Sequence, residues 1–168
     1  MKPRTILALS ATALTLFAGL VTAQSKPATG FAQLKTLVGQ WDGKTESGKP
    51  VRASYKLVSG GTALLESLTP ADESEMVTLY SADGDHVAAT HYCSTGNQPQ
   101  MRTPPITGAV REFAFSFVSA TNLPSPTAGH MHRLVLILED NDHLTQKWTW
   151  RENGSDKTEV FHFTRKKS

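Results

Sequence analysis

The chain has 168 residues, of which 39% are hydrophobic and 19% charged, a composition typical of a globular domain and not of a disordered or fibrous chain. With 17 basic and 15 acidic residues, the formal net charge of +2 indicates neither a nucleic-acid-binding surface nor one for anionic membranes. The single cysteine, Cys93, excludes a disulfide within the chain.

The N-terminal segment has the layout of a secretory signal peptide. Two basic residues precede an apolar run over residues 6–20, and small residues then offer a cleavage site before Gln24. We therefore predict a signal peptide over 1–23, a single domain over 24–168, and a periplasmic or secreted location without membrane association after cleavage. The alternative is an uncleaved single-span anchor. Loss of the leader removes two basic residues and no acidic one, which leaves the charges balanced.

One short helix is predicted ahead of a long series of strands. Apolar residues recur at helical spacing on one face of this segment, at Phe31, Leu34, Leu37 and Val38. After Gly39-Gln40-Trp41 the period of the apolar residues changes to two, as in a half-buried antiparallel strand. This alternation is clear over residues 51–58.

The strand-like runs are separated by short connections rich in Gly, Asn and Asp, which favour hairpins between sequence neighbours. With the Trp41 segment they make about ten strands and no crossover helix. Closure into an antiparallel up-and-down β-barrel removes the two exposed edges that so large an open sheet would have. A two-sheet sandwich is the alternative. The runs span residues 51–58, 62–68, 75–81, 86–93, 100–103, 111–118, 131–139, 143–151 and 157–165.

Gly39-x-Trp41, after a short helix and before the first strand, resembles the calycin superfamily of lipocalin, fatty-acid-binding and nitrobindin-like barrels. Ten strands favour the fatty-acid-binding or nitrobindin-like branch, and Arg165 is placed where a last-strand arginine could stack on the tryptophan. The chain is also similar to small exported bacterial proteins of no assigned activity that share Thr-His-Tyr-Cys and Gly-Asn-Gln-Pro. Those segments are residues 90–93 and 96–99 here.

Polar residues on strand faces are the candidates for chemistry. His91 and Cys93 share a face with small apolar residues, and Glu66 lies between two leucines on its face. The strand face that carries His91 and Cys93 and the one that carries Glu66 are both candidates for the barrel interior. If His132 converges on them, an imidazole and carboxylate cluster would suit a polar ligand or a divalent metal. The alternative for each histidine is a structural or surface role.

Four further features near these strands bear on the site. Cys93 is either buried filler, a thiolate ligand of a metal or haem, or a nucleophile activated by His91. The amides of Asn97 and Gln98 either hold a ligand or only stabilise their own loop. The proline-bearing stretches 103–112 and 119–129 are predicted to frame the opening of the barrel.

Three functions follow from this pattern. The first is an exported barrel that binds a small, largely apolar ligand. The second is a haem- or metal-dependent enzyme, where the nitrobindin-like resemblance implies haem on His162 or His132. The third is a filled structural or interaction barrel. No catalytic residue, metal or cofactor is identified, and the oligomeric state is left open. The predicted ligand-binding residues are Glu66, His91, Cys93, Asn97, Gln98, Met101, His132, Gln146 and Trp148.

Overall fold

A computed structural model describes residues 29–167 as a closed antiparallel barrel of ten strands behind one short helix. The predicted barrel class is thereby confirmed, and the two-sheet sandwich is excluded. The predicted signal peptide lies outside the described residues. Helix α1 covers Thr29–Leu34 and runs into a 3-10 turn at Lys35–Leu37. The strands are β1 Gly39–Thr45, β2 Pro50–Val58, β3 Ala63–Pro70, β4 Met76–Asp83, β5 His86–Tyr92, β6 Gln98–Arg102, β7 Glu112–Thr121, β8 His130–Leu138, β9 His143–Glu152 and β10 Ser155–Arg165.

Every strand pairs with its neighbours in sequence, and β1 closes the barrel against β10. The closing register runs from Trp41 opposite Arg165 to Thr45 opposite Phe161. Tight turns make the hairpins possible: Asn153 and Gly154 both have positive φ, at 49° and 77°, between β9 and β10. No described strand therefore presents a free edge to solvent.

Helix α1 closes one end of the barrel. Trp41 is 1% exposed, and its Nε1–H donates to the carbonyl of Leu37 at 2.8 Å. The guanidinium of Arg165 lies 4.2 Å from the centre of the Trp41 ring and donates to the carbonyls of Thr36 and Val38. The predicted stacking is thus present, and the last strand ties the helical segment to the first one. Val38, predicted on the buried face of the helix, is 42% exposed.

The first proline-bearing loop packs at this same closed end. Ile106 is 8% exposed, and its backbone N–H donates to the carbonyl of Asp85 at 2.7 Å. The backbone N–H of Val110 donates to the side-chain oxygen of Gln33 on α1 at 3.2 Å. The loop therefore covers the helix instead of framing the opening, which was the sequence-based expectation. The second proline-bearing loop, between β7 and β8, lies at the opposite end. Within residues 29–167, no helix is long and apolar enough to span a membrane.

Candidate functional site

A cavity of about 230 Å³ opens at the end of the barrel opposite α1. This volume lies just below the roughly 300–1,000 Å³ of pockets for drug-sized ligands, so the cavity suits a smaller molecule. Glu73, Lys157 and Glu159 supply charged groups to its lining and are exposed. Its apolar wall consists of Leu68, Met76, Met131, Trp148, Trp150 and Phe161.

His91 is the one histidine in the lining of this cavity. It is 1% exposed, its Nδ1 is hydrogen-bonded to the hydroxyl of Thr78 at 3.0 Å, and its ring centre lies 4.6 Å from that of Trp148. Its Nε2 is buried and has no hydrogen-bond partner among the described residues. Burial lowers the pKa of His91 from 6.5 to about 4, so the imidazole is neutral at physiological pH.

Beneath the cavity, Glu66 is fully buried in a hydrogen-bonded group of side chains. Tyr55 and Tyr80 donate to its two oxygens at 2.8 and 2.5 Å, and the amide nitrogen of Gln146 donates to it as well. Trp148 Nε1–H donates to the amide oxygen of Gln146 at 2.8 Å. Because an indole N–H can only donate, this bond fixes which end of the Gln146 amide faces Glu66.

The partners of Glu66 are all arranged as donors, an arrangement suited to a carboxylate. Burial raises the pKa of Glu66, and the hydrogen bonds donated by its neighbours oppose that rise. Burial and the nearby carboxylate raise the pKa of Tyr55 and Tyr80 well above the usual value, so both phenols keep their protons. The group therefore holds Trp148 in a defined orientation in the cavity wall.

The turn between β5 and β6 forms part of the mouth. Cys93 lines the cavity at 9% exposure, and its backbone N–H donates to the carbonyl of Asn97 at 3.1 Å. The side-chain nitrogen of Asn97 donates to the carbonyl of Gly129 at 2.9 Å, which ties this turn to the second proline-bearing loop. Asn97 lines a second, more open hollow, which shares Thr95 and Trp150 with the cavity. The β5–β6 turn therefore forms part of the opening and is hydrogen-bonded to the second proline-bearing loop.

His132 lies elsewhere, on the outer face of the barrel. A register shift in β8 between Met131 and Arg133 breaks the alternation there, so Met131 faces the cavity instead of His132. The Nδ1 of His132 is 3.2 Å from Nε2 of His130, and Arg151 donates to its Nε2 at 2.6 Å. Burial and the nearby Arg151 lower the pKa of His132. The structure thus does not bring His132 together with Glu66 and His91.

Two further predicted residues lie away from the cavity. The side chain of Gln98 donates to the carbonyl of Gly96 and accepts from Thr121 and Asn122, on the outer surface. Met101 is 1% exposed in the packed core. Of the nine predicted residues, His91, Cys93 and Trp148 line the cavity and Glu66 and Gln146 lie directly beneath it. Their role in ligand binding stays a prediction.

Trp150 and Phe161 line the cavity but were not among the predicted residues. A signal for Trp150 was available, because it lies two residues beyond Trp148 on the same strand and therefore on the same face. His162, the other histidine implied for haem, is exposed, and its Nδ1 is 2.9 Å from the Thr145 hydroxyl. In residues 29–167, no group of three or more His, Cys, Asp or Glu side chains is placed to hold a metal ion.

No protein-family model matches this sequence, and no curated protein matches it.

Proposed function

We propose that this protein is an exported, calycin-like barrel that binds a small, largely apolar molecule in the cavity opposite α1, with His91 as its polar anchor. One observation carries the proposal: His91 is buried in the lining of an apolar cavity with its Nε2 unpartnered. A buried polar atom without a partner costs about 1–3 kcal/mol, and most such atoms in folded proteins are satisfied. A ligand that hydrogen-bonds to Nε2 would recover that free energy.

The walls support the same function. Binding sites for small molecules are mostly apolar and carry few polar groups that set orientation, and this cavity matches that description. Trp148 and Trp150 offer large, rigid contact surfaces, and the Trp148 indole is held by its bond to Gln146. A wall already in its bound position loses little conformational entropy when a ligand enters. The calycin-like assignment is supported by the closed barrel and by the contact between Arg165 and Trp41.

The three methionines of the described chain offer a test with an internal control. Met76 and Met131 line the cavity, whereas Met101 is buried in the packed core. We expect toluene, added to protein labelled with 13C at the methionine methyl groups, to shift the Met76 and Met131 resonances saturably and to leave Met101 nearly unchanged. A lack of saturable shifts, or shifts of equal size at all three methyl groups, would contradict a binding cavity at this position.

A further inference from the structure

The second hollow, which Asn97 and Glu152 help to line, adjoins the cavity at its opening. It has a volume of about 310 Å³, and the side chains of Thr95 and Trp150 line both spaces. On β9, Trp148, Trp150 and Glu152 follow one another at two-residue spacing and therefore lie on the same face of the strand. One strand face thus leads from the apolar wall of the cavity to a carboxylate in the hollow.

The side chain of Asn97 provides this hollow with a hydrogen-bond acceptor. Asn97 is 3% exposed, and one end of its amide lies 2.9 Å from the carbonyl oxygen of Gly129. A carbonyl oxygen can only accept a hydrogen bond, so the end that faces Gly129 is the NH2 group and the other end is Oδ1. Oδ1 is buried and has no hydrogen-bond partner among the described residues. A bound group that donates to Oδ1 would recover the free energy that an unpaired acceptor costs.

The charges around the opening favour a cation as that group. Among the described residues, the linings of the cavity and the hollow together carry three carboxylates and one ammonium, namely Glu73, Glu152, Glu159 and Lys157. The Glu152 carboxylate forms no ion pair within residues 29–167. The Trp150 ring adds to the attraction, because an aromatic face attracts a cation that lies close to it. A protonated amine has both the positive charge and the N–H donors that Glu152 and Asn97 require.

We propose that the cavity and the second hollow together bind small amphiphilic cations, with the apolar part of the molecule in the cavity and a protonated amine in the hollow, between Asn97 and Glu152. This proposal rests on the proposed function, because it assigns the ligand class of the same cavity. An anionic amphiphile is disfavoured, since its carboxylate oxygens can only accept and would lie beside Oδ1 and the carboxylates of the opening. The amine keeps part of its hydration, because Glu152 is exposed, so its desolvation costs little.

The 2-phenylethylammonium and 3-phenylpropanoate ions make a matched pair of probes, because each joins a phenyl ring through two methylene groups to a charged group of opposite sign. Binding of each probe, and of toluene, is measured by the methionine methyl titration at neutral pH and low salt. We expect the cation to bind about tenfold more tightly than the anion, as for one ion pair together with one hydrogen bond.

Glu152→Gln removes one charge and keeps the shape of the side chain. We expect it to lower the ratio of cation to anion affinity about two- to fivefold, the usual range for an exposed ion pair. Glu112→Gln is the matched control, because Glu112 is exposed at the start of β7, two residues after Val110, which is hydrogen-bonded to α1 at the closed end. The same change of charge there should leave the ratio nearly unchanged.

The outcomes separate the two proposals. If neither toluene nor the cation binds, the proposed cavity function fails, and the preference for cations fails with it. If toluene binds but the anion binds as tightly as the cation, or if Glu152→Gln changes the ratio no more than Glu112→Gln does, the cavity function stands and the cation preference is overturned. The side-chain amide of Asn97 gives an independent measurement in the unsubstituted protein. Its 15N and 1H resonances should shift saturably with the cation and not with toluene, and an absence of that shift would overturn the placement of the amine.

Discussion

Burial of His91 should make this protein lose stability in mild acid. Desolvation lowers the pKa of its imidazole from 6.5 to about 4, so the unfolded chain takes up a proton at a higher pH than the folded one. Between these two values the unfolded state binds more protons, and the free energy of unfolding falls as the pH falls. Above pH 6.5 the loss is absent, and below pH 4 it is complete.

The size of the effect follows from the shift. About 2.5 pKa units at 1.36 kcal/mol each give a loss of about 3 kcal/mol from pH 8 to pH 4. That is a large part of the roughly 5–15 kcal/mol that stabilises a typical domain. The charged groups in the cavity lining, Glu73, Lys157 and Glu159, are present in both the natural protein and a His91 variant, so their titration largely cancels in the difference.

Urea unfolding of the natural protein and of His91→Asn, at intervals from pH 8 to pH 4, measures this difference. We expect the stability of the natural protein relative to the variant to fall by about 3 kcal/mol across that range. His143→Asn is the matched control of opposite sign, because Asp140 raises the pKa of the exposed His143. The stability that His143 contributes is present below pH 6.5 and is lost as the pH rises through its raised pKa. A difference between natural protein and His91→Asn that stays constant with pH would refute the reasoning.

Two further substitutions test the two ends of the barrel. Arg165→Lys keeps the charge but removes the planar contact with Trp41 and the paired hydrogen bonds to backbone carbonyls. We expect the free energy of unfolding, measured in urea, to fall by about 2–3 kcal/mol. A fall of less than about 0.5 kcal/mol would contradict this expectation. Gly129→Ala places a methyl group against the Trp150 ring, whereas Gly108→Ala meets no atom within 4 Å. Gly129→Ala should therefore weaken toluene binding, and the control Gly108→Ala should not. Equal effects of the two glycine substitutions would show that Trp150 does not shape the cavity.

Strand alternation was sufficient to identify part of the candidate site. Glu66 and His91 follow the same two-residue period as the buried apolar residues of their strands, and both lie inside the barrel. The turn residues likewise indicated which strands are neighbours. Alternation could not show that Glu66 binds Gln146, because these residues are 80 positions apart in sequence and meet only across the closed barrel.

The differences from the sequence-based expectations have local causes. His132 was a candidate for a cluster with Glu66 and His91, but the register shift after Met131 turns it to the outer face. Residues 103–112 were expected at the opening because prolines keep a loop out of a sheet. Proline content does not determine which end of a barrel a loop covers, and buried Ile106 holds this one near α1.

Pairing of β1 with β10 determines how the barrel would be oriented when it is immobilised on a sensor surface. Helix α1 and the end of β10 both lie at the closed end, where the backbone N–H of Lys166 donates to the carbonyl of Gln40. A linker joined at residue 29 or at residue 167 would therefore leave from the side opposite the cavity. Protein immobilised on a sensor surface through either position would point its mouth toward the solution, so both positions are suitable for direct measurements of small-molecule binding.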